Sequence, residues 1–271
     1  MSYQDLTLRN RGYISPELQE KIRSTRLLVA GCGLGSTIAE AAVRVGFERF
    51  TLADGDSISA HNLNRQAFAA ADVGRQKVAA LAARLRAINP GAQVREFDGL
   101  VDARSAPELV AGSDLVLDTI DFLDLAGIAA LHDECRGQGR PAISAMSAGW
   151  GAVAVYFPVG GACSFRRLFG LPESGAVEGR SYVEHFARVI ERLKAVLMPE
   201  VVQALAQAFT VMKDGKPCPA SQVAPGAAAV ASLAVTAAVR VLAGLPVTAA
   251  PRMMVADMYA VCAAPGVDLA D

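Results

Sequence analysis

The segment from Arg26 to Lys77 constrains the fold more than any other part of the chain. It opens RLLVAGCGLGS (26–36), an apolar strand running into a glycine-rich turn and a helix. It continues through TLADGD (51–56), a second strand that ends in acid. It closes on HNLNRQAFAAADVGRQK (61–77), an Asn/Arg/Gln cluster followed by a lysine. Glycines let a backbone approach a phosphate, and a helix start offers free N–H groups and partial positive charge. Gly31, Gly33 and Gly35 are therefore a candidate phosphate cradle. Asp54 follows about 20 residues later, where an acid commonly binds ribose hydroxyls. A tight turn without a ligand and a capping acid are the plain alternatives, and Asp56 fits either the site or the turn.

The first half of the segment suits any dinucleotide-binding unit. The second half adds Asn62, Arg65, Gln66 and Lys77. Arginine grips phosphoryl oxygens in pairs, and lysine supplies a mobile point charge. That combination favours a nucleoside triphosphate over a nicotinamide. Lys77 taken alone is equally an ordinary helix lysine.

Ser15-Pro16-Glu17 marks the start of a short helix after an N-terminal arm. The hydrophobic period predicts strands at Leu27–Ala30, Phe50–Ala53, Val94–Phe97, Leu115–Leu117, Ala142–Ala145, Ala152–Phe157 and Met253–Ala256. Helices are predicted over 36–45, stopped by Gly46, over 75–88, stopped by Asn89-Pro90, and over 128–135. Strands alternating with helices imply a doubly wound, mostly parallel Rossmann-like sheet with helices on both faces. Ligands then bind beyond the carboxyl ends of the strands, so Gly31, Asp54, Asp118 and Asp121 are expected in one crevice. The pattern changes after Phe157: residues 160–180 read as loop, and two helices follow over 182–197 and 200–212. The whole chain, 1–271, is expected to form one domain with an arm at 1–26 and a helical insertion at about 160–220.

The net charge of −1 gives no reason to expect nucleic acid as a partner. The stretch 225–244 is long and apolar but alanine-rich and carries Arg240, so a buried helix is expected rather than a membrane span. The N-terminus lacks the apolar stretch of a signal peptide, which points to a reducing cytoplasm. No two of the five cysteines form a C-x-x-C.

On HNLNRQ-x-F-x-x-x-D-V-G-x-x-K the chain resembles the ubiquitin-activating enzymes and the bacterial ThiF, MoeB and HesA adenylyltransferases, closely over 20–160 and loosely over 217–260. The resemblance implies that Asn62 and Arg65 contact ATP, with Lys77 and the ribose-binding Asp54. It implies Mg²⁺ on Asp121 of LVLDTID (115–121), beside Asp118; Phe122 stands where the family usually has Asn. It implies a homodimer in which an arm arginine, Arg9 or failing that Arg11, reaches the partner's ATP. Many members hold zinc on two C-x-x-C pairs; here Cys163 is matched with Arg166 and Cys262 stands alone, so no structural zinc is expected. Cys218, in KPCPASQ, matches a cysteine that in several members forms a thioester or persulfide, and an unreactive loop thiol is the alternative. Trp150 is expected to pack in the core, with a channel for a peptide tail as the second option. His132 and His185 are expected to be structural.

The implied activity is ATP-dependent adenylylation of a carboxylate, with Arg65, Lys77, Asp121 and Cys218 as candidate catalytic residues. The substrate would be the tail of a ubiquitin-like or sulfur-carrier protein, or a small peptide. The alternatives are a tRNA threonylcarbamoyladenosine dehydratase-like enzyme, a non-catalytic partner subunit of the same fold, and a nicotinamide-dependent oxidoreductase.

Overall fold

The computed structural model describes residues 2–177, 182–213, 221–264 and 266. A short helix α1 (Tyr3–Thr7) leads to α2 (Pro16–Ser24), whose N-cap Ser15 accepts the Leu18 N–H, with Pro16 in the first turn. Then follow β1 (Arg26–Ala30), α3 (Gly35–Val45), β2 (Arg49–Ala53), α4 (Lys77–Ile88), β3 (Gln93–Phe97), α5 (Ala106–Ala111) and β4 (Leu115–Asp118). The second half contains α6 (Leu125–Gly137), β5 (Ala142–Ala148), β6 (Gly151–Phe157), α7 (Phe165–Phe169), α8 (Tyr182–Leu193), α9 (Pro199–Lys213), α10 (Ala224–Leu242), β7 (Met254–Ala256) and α11 (Met258–Ala263).

Among the described residues the strands form one seven-stranded sheet, ordered β3-β2-β1-β4-β5-β6-β7. The run from β3 to β5 is parallel. β6 runs antiparallel to both β5 and β7. The reversal is forced locally: Ala148 pairs with Gly151, so two residues join β5 to β6. A link that short closes a hairpin and cannot carry a crossover.

Successive residues of β1 serve opposite faces. Leu27 and Val29 join one core with α3, α4 and α10; Leu28 and Ala30 join the other with α5, α6, α7 and part of α8 and α9. A parallel strand covered on both sides is apolar throughout, which is how RLLVA reads. α10 is apolar and long enough to cross a membrane by length and composition, yet half of its most apolar window is buried, against α3, β5 and β6. Four short helices, α1, α5, α7 and α11, escape a reading by hydrophobic period, because five or six residues make barely more than one turn.

The strand order turns back between β1 and β4. β1 leads to its neighbour β2 on one side, and the chain returns to place β4 on the other. A crevice at the carboxyl ends of β1 and β4 is the expected ligand position of such a sheet.

Candidate functional site

Gly31 follows β1 directly. Its φ of +85° is one that only glycine adopts easily, and a Cβ there would lie 2.4 Å from the Thr119 carbonyl oxygen beyond β4. The Gly31 N–H donates to the Ala53 carbonyl at 2.8 Å, and Thr119 Oγ1 donates to the Gly31 carbonyl at 2.6 Å. The turn is thus pinned to β2 and to the loop after β4. Ser36 Oγ donates to the Gly33 carbonyl and accepts the Ala67 N–H at 2.9 Å, which ties the 61–77 loop to the start of α3. Among the described residues the N–H groups of Gly33, Leu34 and Gly35 have no hydrogen-bond acceptor. This end of the 11-residue α3 therefore offers donors and positive potential.

Asp54 follows β2 and is buried. Oδ2 accepts the Cys32 N–H at 2.6 Å, and Oδ1 accepts the Asp56 N–H at 2.8 Å. Burial raises its pKa above the usual carboxyl range, against the opposing pull of Lys77. Lys77 opens α4, also buried. Its Nζ lies 2.6 Å from Asp56 Oδ2 and 3.8 Å from Asp54 Oδ1. The lysine is thus engaged by the more exposed of the two acids.

Asn62 is buried, and its Oδ1 accepts the Ser59 N–H at 2.9 Å in a one-turn 3₁₀ segment. Gln66 reaches back to the glycine turn, where a Cβ on Gly33 would lie 3.1 Å from Nε2; its buried Oε1 has no hydrogen-bond partner among the described residues. Arg65 is half-buried. NH1 donates to the His61 carbonyl at 3.1 Å and to Asn64 Oδ1 at 2.9 Å, while Nε donates to Gln222 Oε1. Burial lowers its pKa, and the nearby charge of Asp121 opposes that shift without forming an ion pair.

A cleft of about 430 Å³ lies beyond the strand ends. Gly31, Asp54 and Asp121 line it, as expected from the sequence, and so does Asp56, which the sequence left open between site and turn. Leu100, Val101, Ile120 and Leu123 line it too, and these apolar residues went unread in the sequence. Leu100 and Val101 belong to the loop after β3, where two apolar residues outside any periodic element were the available signal. Gly33, Gly35, Asn62, Arg65, Gln66 and Lys77 are not part of its lining; Gln66 reaches the glycine turn and Lys77 its acids, whereas Asn62 bonds within its own loop and Arg65 within that loop and to Gln222.

Asp118 does not share the crevice. Its Oδ2 accepts from Ser144 Oγ at 2.6 Å and lies 3.0 Å from His132 Nε2, all three residues being buried. The His132 ring lies 4.7 Å from those of both Phe157 and Phe165. A polar group in that aromatic surrounding has to find partners in the core, which draws Asp118 inward. Asp118 Oδ1 accepts the Ile120 N–H at 3.2 Å, so the same carboxylate shapes the turn that presents Asp121. Asp121 is exposed, and one oxygen accepts the Leu123 N–H at 3.0 Å. Among the described residues no group of three or more His, Cys, Asp or Glu side chains gathers as a metal cluster.

Trp150 corrects the sequence expectation. It sits on the β5–β6 turn, 44% exposed, 5.8 Å from the ring of Tyr259, and not in the core. Cys163 is half-buried and Cys262 exposed. Arg166 is held by Asp133 at 2.7 Å and by the carbonyls of Pro172 and Gly175. His185 Nδ1–H donates to the Phe169 carbonyl at 2.8 Å. Arg9 is exposed in a 3₁₀ turn of the arm. Cys218 lies outside the described residues.

Comparison with known proteins adds a family and a fold. The family model described as "ThiF family" matches residues 7–261. The chain is 33% identical over 167 residues to the SAMP-activating enzyme E1 of Haloferax volcanii, covering 60% of this chain and 61% of that protein. It is 32% identical over 158 residues to the molybdopterin-synthase adenylyltransferase of Escherichia coli, covering 56% and 63% respectively. The matched region thus spans about three fifths of each relative's length. The crystal structure of Escherichia coli MccB with ATP superposes with a TM-score of 0.63 at 18% identity, covering 89% of this chain and 66% of that one. At that identity the likeness is one of fold.

Proposed function

The chain belongs to the ThiF family, and from that premise we propose that it is an ATP-dependent adenylyltransferase acting on a carboxylate. The observation that carries the reading is a crevice lined by the glycine turn and a buried acid, with a clamped arginine outside its lining but near its Asp121. The turn offers unbonded N–H groups, Asp54 lies at the end of β2, and Arg65 stands within electrostatic reach of Asp121. The apolar wall of Leu100, Val101, Ile120 and Leu123 suits a base, Asp54 suits ribose hydroxyls, and the α3 N-terminus suits phosphate oxygens.

The substrate carboxylate would attack the α-phosphorus of ATP. The bond to the bridging oxygen breaks, giving an acyl-adenylate and pyrophosphate. An ionised carboxylate has no proton to lose, so the protein contributes placement and charge compensation. Arg65 would turn its free NH2 edge to the phosphates. Lys77 would exchange the exposed Asp56 for a phosphate oxygen, and Asn62 and Gln66 would supply neutral polar contacts. Mg²⁺ takes one or two carboxylates together with substrate phosphates. Asp121 fits that need, since its second oxygen has no protein partner among the described residues. The ion would supply compensation of phosphate charge there. The protein would act as a homodimer in which Arg9 of one subunit serves the other's cleft, without structural zinc and in a reducing cytoplasm. The substrate we propose is the tail of a ubiquitin-like or sulfur-carrier protein, or a peptide, in line with the names of the relatives.

Calorimetry should show binding of ATP with Mg²⁺ and little binding of NAD. Pyrophosphate exchange with the cognate carboxylate should fall about 10²–10³-fold in Arg65→Ala and in Asp121→Ala. It should persist in Cys218→Ser, which removes only a thiol-sensitive adduct. Tight NAD binding without ATP would sink the reading, and tight tRNA binding would favour the dehydratase alternative.

A further inference from the structure

Arg65 is held by a residue that the site motif does not contain. Gln222 lies 157 residues further along the chain, just ahead of α10. Its side-chain Oε1 accepts from Arg65 Nε, and its backbone carbonyl accepts from Asn64 Nδ2 at 2.9 Å. Two neighbouring residues of the motif are thus gripped by one distant residue. NH1 of Arg65 is committed to the His61 carbonyl and to Asn64 Oδ1. Three of the five guanidinium N–H groups are then used, and the two on NH2 have no acceptor among the described residues.

The chemistry of these acceptors matters. A guanidinium is planar, so fixing Nε and NH1 fixes the plane and the direction of NH2. Every acceptor is a neutral amide oxygen. A neutral clamp orients the group without cancelling its charge, whereas a carboxylate in the same place would occupy it as an ion pair. The nearby Asp121 forms no ion pair with it. We propose that Gln222 is a positioning residue: it holds the Arg65 guanidinium as a neutral clamp, leaving an uncompensated charge and a free N–H edge for an anionic phosphate. The consequence for turnover rests on the adenylation reading, whereas the clamp itself does not. It also links the approach to α10 to the nucleotide crevice.

The clamp is read first in ligand-free protein carrying ¹⁵N-arginine. The Arg65 Nε–H, assigned through Arg65→Lys, should exchange slowly with solvent and become fast in Gln222→Ala while other arginines stay unchanged. In steady state, Gln222→Ala should lower kcat/KM for ATP about tenfold, the typical cost of losing one hydrogen bond to a charged group. Gln222→Glu should act chiefly by raising the KM for ATP, because its carboxylate competes with phosphate for the guanidinium. In an Arg65→Ala background, Gln222→Ala should add less than about twofold, since a clamp with nothing to hold has no effect. Additive losses in the double variant, or a fast Nε–H in the unsubstituted protein, overturn the proposal. A slow Nε–H in a protein that does not bind ATP overturns the adenylation reading and leaves the clamp standing.

Discussion

Asp54 sits where its charge is disfavoured. Burial raises its pKa, so the stability it contributes is full below the ordinary carboxyl range and declines as the pH rises through its folded value. The ionised form is therefore tolerated at a cost, as site residues often are. Gly31 is the other strained point. Gly31→Ala places a methyl group 2.4 Å from the Thr119 oxygen at a φ of +85°. It should cost about 1–3 kcal/mol in urea denaturation and weaken ATP binding in calorimetry. The buried thiols respond to pH in the opposite range. Burial pushes Cys32 well above the usual thiol range and Cys135 up to about 12. In a Cys218→Ser background, native protein at pH 8 should therefore label with a thiol reagent at Cys163 and Cys262 only, among the described cysteines. A thiol pKa raised on folding means that stability is full below about pH 9 and falls as pH climbs toward the folded values, which alkaline melts followed by circular dichroism would show. The crevice positions of Gly31, Asp54 and Asp121 were legible in the sequence because each follows a strand end, whereas the Asn62–Lys77 cluster was singled out by its residue types and spacing and lies outside the lining. Gln222 and the Leu100–Val101 wall were not, because their roles come from contacts across the fold or from a loop without period. Asp118 looked like a crevice residue until the core of His132 and Ser144 gave it other partners.

α10 is seated by a close approach. A Cβ on Gly226 would lie 2.1 Å from the Gly149 carbonyl and 2.7 Å from Ser147 Oγ, so the first turn of the helix rests on the β5–β6 turn. Gly226→Ala should lift that turn at a cost of about 1–3 kcal/mol, seen as a melting temperature lower by several degrees. Gln222 precedes this helix by two residues, so the same variant should also raise the KM for ATP. The parallel half of the sheet was readable from strand–helix alternation, and Gly46 and Asn89 marked helix ends correctly. The antiparallel step was not read, since the expected strands stopped short of the two-residue link that dictates it. The same shortfall hid Trp150: once β5 and β6 extend to Ala148 and Gly151, residue 150 falls on a solvent-facing turn. Helices of five or six residues give too few positions for a period to emerge.

The N-terminal arm is fastened to the wrong end of α3 to serve its own crevice. Tyr3 Oη donates to the Gly46 carbonyl at 2.9 Å, and Asn10 and Gln19 donate to the Val45 carbonyl at 3.0 and 2.9 Å. Arg23 lies 4.5 Å from the centre of the Tyr3 ring. The glycine turn is at the other end of that 11-residue helix, about 16 Å away at the usual rise. An arm held there supports the proposal that Arg9 faces a second subunit, as a two-fold axis would arrange. Light scattering should then report a dimer, and Arg9→Ala should lose exchange activity without a change in melting temperature. Division of labour between two chains has a genetic signature. Arg9→Ala and Arg65→Ala proteins, each inactive alone, should rescue one another when unfolded and refolded together. Half of the randomly paired dimers are hybrids, and each hybrid gathers both lesions in one crevice and leaves the other whole. The mixture should regain about a quarter of the unsubstituted activity, and none at all if each chain depends on its own arginine.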